Sequence, residues 1–145
     1  MITLKDIALA INKRLKEVLP EIEINSKDIK EGFKRPSFFV DFESGSKQQL
    51  TRHQVERMIH IIVYYFPKNP HQYKLEILNI QELVEDAFRD ELVITDDIRL
   101  YTNEISNNVV DGVLQLSFDI HYLEINDPAR HDSELPFMEI LQYKG

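Results

Sequence analysis

Apolar residues recur at Leu4, Ile7, Ala8, Ile11, Leu15, Val18 and Leu19, the spacing of a single stripe on a helix of 3.6 residues per turn. Thr3 offers an N-cap with Asp6 in the first turn, Lys5, Asn12, Lys13, Lys16 and Glu17 take the opposite face, and Pro20 ends the helix. Ile22 to Ile24 reads as a short extended piece. Pro36 then opens a strand over Ser37–Phe42, because proline lacks a ladder donor and favours an extended predecessor. Residues 43–51, ESGSKQQLT, are polar and contain Gly45, which predicts a hairpin loop of more than minimal length. From Gln54 to Phe66 the chain first alternates and then turns apolar at every position, so this strand is expected at the centre of the fold or against a partner subunit. Pro67 and Pro70 terminate it.

A second amphipathic helix is predicted over Tyr73–Phe88, with Leu75, Leu78, Leu83, Val84, Ala87 and Phe88 on its apolar face and Ile77 and Ile80 widening it. Residues 98–105 read as a strand, 106–112 (SNNVVDG) as a turn carrying an Asp-Gly signal, and 113–125 as a long strand. In the last, Leu114, Leu116, Phe118, Ile120 and Tyr122 alternate with Gln115, Ser117, Asp119 and His121, so one face packs and the other meets water or a neighbour. These elements predict an α+β fold: a mainly antiparallel sheet of about four strands with two main helices packed on one face. Residues 1–125 form the expected domain, and 126–145 an arm whose Leu135, Phe137, Met138, Ile140, Leu141 and Tyr143 call for a docking surface.

Composition narrows the function classes. The chain has 145 residues, 43% of them apolar, and a formal net charge of −8; a packed core is expected, and general nucleic-acid binding, which needs a basic face, is disfavoured. There are no cysteines, which removes disulfides, thiolate metal sites and cysteine nucleophiles, and suits an intracellular protein. The first twenty residues intersperse charges among the apolar positions, and read as neither signal peptide nor membrane span. The four glycines are too scattered for a phosphate-cradling loop.

Candidate chemistry is sparse. His60, Asp119 and His121 would converge if their strands pair, giving a conceivable metal site and with it a small metal-dependent enzyme, although surface or interface histidines are the commoner outcome. Glu82, Glu85, Asp86, Asp90, Glu91, Asp96 and Asp97 supply carboxylates, but helix-edge and loop acids ordinarily remain solvated. The serines lack a nucleophile signature, and no residue pattern asks for a cofactor. Lys34 and Arg35 beside Phe33, with Lys47 and Arg52, form the best basic cluster, and protein contact is its expected use. Lys47, Gln48, Gln49 and Arg52 are therefore the expected contacts on the hairpin, with Phe137, Met138 and Leu141 on the arm.

The opening helix ITLKDIALAINKRLKEVLP, the segment GFKRPSFFVDF, the strand ending HIIVYYFP and the stretch VDGVLQLSFDIHY occur in an order and spacing that resembles the phage tail terminator family. The resemblance covers about the first 125 residues and rests on structural, not catalytic, motifs. It implies a non-enzymatic α+β protein of the virion tail, assembled in the host cytoplasm as a ring, by family analogy a hexamer, on the last ring of the tail tube. Such a ring stops tube polymerisation and presents a surface to the head connector. The implied partners are further copies of the chain, the tail tube protein and the head connector protein, with no membrane. Six copies at −8 each would carry −48, a charge that lets DNA pass through a pore without specific binding. A different neck or connector protein of the same particle is the alternative within that setting.

Overall fold

The computed structural model describes residues 2–25, 35–102 and 104–125. Helix α1 (Leu4–Val18) begins at Thr3 in a reciprocal capping box: Thr3 Oγ1 accepts from the Asp6 amide at 3.1 Å and Asp6 Oδ2 accepts from the Thr3 amide at 2.9 Å. The hydrogen bond that the Thr3 amide gives the Asp6 carboxylate, supported next by the Thr3 side chain, holds the Asp6 pKa below the ordinary value. Ile7, Ala10, Ile11 and Leu15 are buried, and full burial of each large side chain contributes about 1.5–3 kcal/mol.

Next in chain order come β1 (Glu23–Asn25), β2 (Ser37–Gln49), β3 (Gln54–Phe66), α2 (Lys74–Phe88), β4 (Glu91–Val93), β5 (Arg99–Tyr101), β6 (Ser106–Val110) and β7 (Val113–Ile125). Among the described residues the main sheet has five strands, not about four, in the order β1-β2-β3-β7-β6. Among the described residues only β1 and β2 pair in parallel; the other contacts in this sheet are antiparallel. β4 and β5 make a separate two-stranded ribbon. Both helices contribute to one core, against Ile59, Ile61, Val63 and Tyr65 of β3 and Leu114, Leu116, Phe118 and Ile120 of β7. The α+β class and the helices on one side of an antiparallel sheet match the sequence pattern.

Three expectations are corrected. Residues 43–49 are not a loop but the second half of β2, paired with β3 through Gln49↔Val55; the connection is only 50–53. The periodicity was absent because both faces of this stretch meet solvent, while the ladder is held by backbone bonds that no side-chain pattern announces. Residues 106–110 are likewise a strand, and the turn is Asp111-Gly112 alone, with φ of 52° and 75°, a two-residue hairpin whose conformation matches strand twist. Finally, α2 buries Ile77, Ile80, Val84, Ala87 and Phe88, whereas Leu75 is 82% exposed and Leu78 also faces solvent. The helix is apolar around much of its girth, so the choice of face was set by its docking geometry.

The C-terminal end of α2 is tied down by its neighbours. Arg14 Nε donates to the Ala87 carbonyl at 2.9 Å and the buried Thr102 hydroxyl to the Phe88 carbonyl at 2.6 Å, satisfying carbonyls that a helix end leaves open. At the other end, Glu76 accepts from the Tyr65 hydroxyl and the Lys68 amide, each at 2.6 Å. No helix among the described residues is long and apolar enough to cross a membrane.

Candidate functional site

The sheet outruns its helices. β2, β3 and β7 each have 13 residues, about 43 Å at 3.3 Å per residue, while each helix has 15 residues, about 22 Å at 1.5 Å per residue. The outer part is a three-stranded ribbon made of residues 43–49, 54–58 and 121–125, of which only Val55 is buried and whose near end Leu4 of α1 reaches beside Lys47 and Arg57. A bulge at Glu43 breaks the register between Phe42 and Ser44. That extra residue lets Phe42 face the helices while Ser44, Ser46 and Gln48 fall on the opposite, open face.

At the ribbon tip the Leu50 amide donates to the Gln54 carbonyl at 2.9 Å. The Gln49 amide nitrogen donates to the carbonyls of Thr51, Arg52 and Gln54. Gln49 therefore shapes the turn from within, and is less available to a partner than the sequence suggested. Lys47 stands directly opposite Arg57 across β2 and β3. Gln48 is exposed on the open face beside Glu56, and Arg52 is exposed at the tip. The arm residues Phe137, Met138 and Leu141 lie outside the described residues, as do Phe33 and Lys34.

The open face carries a ladder of histidine–carboxylate pairs. His60 Nδ1 lies 2.6 Å from Asp119 Oδ1, and its Nε2 is 3.7 Å from Glu43 Oε1. His121 shares this face but pairs with Glu56, Nε2 to Oε2 at 2.6 Å. Thus His60 and Asp119 meet as the strand pairing suggested, while His121 does not join them. Among the described residues no group of three or more His, Asp or Glu side chains has the geometry to hold a metal ion. The acidic candidates are spread over α2 and the loops that follow. Glu85 accepts from Gln81 and Asn107, Asp86 pairs with Arg89, and Glu91 with Arg99.

Around the ladder lie residues that periodicity did not single out as surface. Met58 is exposed, and Leu123 and Ile125 are 52% and 60% exposed on the same face. Their signal was present in the alternation of β7, but the length of the ribbon was not. Nearer the core, Phe39 and Tyr64 pack with ring centroids 6.0 Å apart. Burial raises the Tyr64 pKa, helped by the nearby carboxylates Asp41 and Glu43. On the reverse face burial raises that of Tyr122, with Glu124 adding to the effect and Arg57 opposing it.

The arrangement contains paired, partly exposed charges, exposed apolar side chains and a long polar ribbon. These are the ingredients of protein contact. The model of a family described as phage tail terminator protein matches residues 6–132. No curated protein matches the chain. Because the matched span begins in the first turn of α1 and runs past the end of β7, the chain belongs to the phage tail terminator protein family.

Proposed function

We propose that this protein caps the tail tube, ends its polymerisation and presents the surface on which the head connector docks. Family membership gives the broad tail-completion role. The observation that carries the finer reading is the ribbon: residues 43–49 are exposed throughout, and a lone subunit gains little from ordering a sheet extension that buries so few side chains. A neighbouring subunit or tube ring would bury it. The ribbon holds Lys47, Gln48 and Arg52 for polar contact and Met58, Leu123 and Ile125 for an apolar centre.

Six copies closing head to tail are the expected assembly, since heterologous contacts form rings when the rotation closes. The acidic chain, −8 per copy, then suits a channel that DNA traverses without adhering. Residues 126–145 serve as an arm rather than as part of the domain core. Light scattering of the purified protein, alone and with tail tubes, tests this reading. A discrete ring, free or at tube ends, is expected; a monomer that ignores tubes would overturn it.

A further inference from the structure

Two depressions that share Phe42 run along the seam between α1 and β2. The larger, about 540 Å³, is lined by Leu9, Lys13, Ile24, Val40 and Phe42 among others. The smaller, about 360 Å³, includes Leu4, Gly45, Lys47, Arg57 and Ile59. Leu9 is 56% exposed and Leu4 also faces solvent. Beside them β1 covers only Ser37–Phe39 of β2, so no strand among the described residues pairs with the outer edge of β2 from Val40 to Gln49.

The charges are as informative as the apolar lining. Lys47 and Arg57 face each other directly, an arrangement that disfavours a strand pair, and among the described residues neither closes an ion pair. Glu124, on the same face of β7, keeps one buried carboxylate oxygen without a hydrogen-bond partner rather than closing on Arg57. In a chain of net charge −8, two cations left together at an apolar groove mark a site for a carboxylate-bearing, apolar segment.

We propose that the α1–β2 groove is the docking site of the chain's own residues 132–141. This segment, DSELPFMEIL, contains Asp132, Glu134 and Glu139 with no lysine or arginine, and Leu135, Phe137, Met138, Ile140 and Leu141. Its charge and its apolar side chains both complement the groove. Its attachment point is equally favourable. β7 ends at Ile125, opposite Gln54 at the ribbon tip, and β2 lies two strands away in the same sheet, about 10 Å. The six intervening residues reach about 20 Å when extended. Tethering at that range gives a high effective concentration and favours docking within one subunit over exchange between subunits. The free edge of β2 supplies backbone partners if the segment enters as a strand.

The absence of cysteine makes the test direct in the full chain. The pair Leu4→Cys with Met138→Cys should form an intramolecular disulfide on mild oxidation. Asn79→Cys with Met138→Cys, placed on the exposed face of α2, should not. Adding Lys47→Glu and Arg57→Glu should lower the yield about fivefold, the effect of losing roughly 1 kcal/mol of ionic coupling. Glu134→Lys with Glu139→Lys, which leaves β2 and β3 untouched, should lower it similarly, and combining both reversals should restore it. No cross-link, equal cross-linking at the control position, or a disulfide-linked dimer in place of the monomeric product would each overturn docking within the subunit. The readout is the segment's position, so it stands apart from whether the protein caps tubes.

Discussion

His60 Nδ1 and Asp119 Oδ1 approach to 2.6 Å across β3 and β7, on the sheet face that the helices leave open. The two side chains are 33% and 43% exposed, so the contact belongs to the class of surface pairs worth about 0–1 kcal/mol. A double-mutant cycle with His60→Ala and Asp119→Ala, followed by urea unfolding, should give a coupling energy below about 1 kcal/mol. Coupling of several kcal/mol would mean that the ladder organises the fold. Stoichiometric zinc binding abolished by either substitution would instead revive the metal site.

Tyr65 places its hydroxyl 2.6 Å from Glu76 Oε2. Burial first, then that hydrogen bond and the carboxylate's charge, push the Tyr65 pKa well above the ordinary 10.0. The protonated phenol is therefore favoured by folding. Its contribution is complete below about pH 10, the unfolded value, and is lost as pH rises above it. Thermal unfolding followed between pH 8 and 11.5 should show a fall in Tm above about pH 10 that is smaller in Tyr65→Phe. An identical alkaline decline in both proteins would contradict this assignment.

Gly112 holds φ of +75°, and a Cβ there would come within 3.1 Å of the Tyr73 ring. Gly112→Ala should cost about 1–2 kcal/mol from backbone conformation alone, with further cost if the ring cannot shift. Gly112→Ala combined with Tyr73→Ala separates the two effects, since only the steric part is relieved. Unfolding midpoints unchanged by Gly112→Ala would rule out the two-residue turn.

Charge reversal on the ribbon, Lys47→Glu with Arg52→Glu, alters side chains that are exposed on β2 and at the tip. Circular dichroism and Tm should remain close to the parent, because surface substitutions usually shift stability by no more than about 0.5 kcal/mol. Association with tube ends, measured by co-sedimentation, should fall. Undiminished co-sedimentation would move the contact surface away from the ribbon.

What was legible in the sequence was whatever the core imposes. Thr3, Asp6 and the stripe through Leu15 announced α1, and the Asp-Gly signal announced a turn before β7, although the expected turn over 106–112 shrinks to Asp111-Gly112. The alternation from Leu114 to Ile120 marked a half-buried strand. Residues 43–49 were opaque for the same physical reason: with neither face buried, nothing constrains their polarity, and their strand character comes from pairing with 55–60. The register that sets His60 beside Asp119, and sends His121 to Glu56, belongs to the β3–β7 pairing, which the pattern of neither strand alone specifies. Phe137, Met138 and Leu141 lie outside the described residues, and the α1–β2 groove proposed to cover them is assembled by the fold from elements distant in sequence.

The most direct test of the tube-capping account is the length distribution of tails, measured by negative-stain electron microscopy, in particles assembled with and without this protein. The account predicts uniform, head-joined tails when it is present, and tails of irregular, extended length lacking heads when it is omitted. Uniform tails joined to heads in its absence would contradict it.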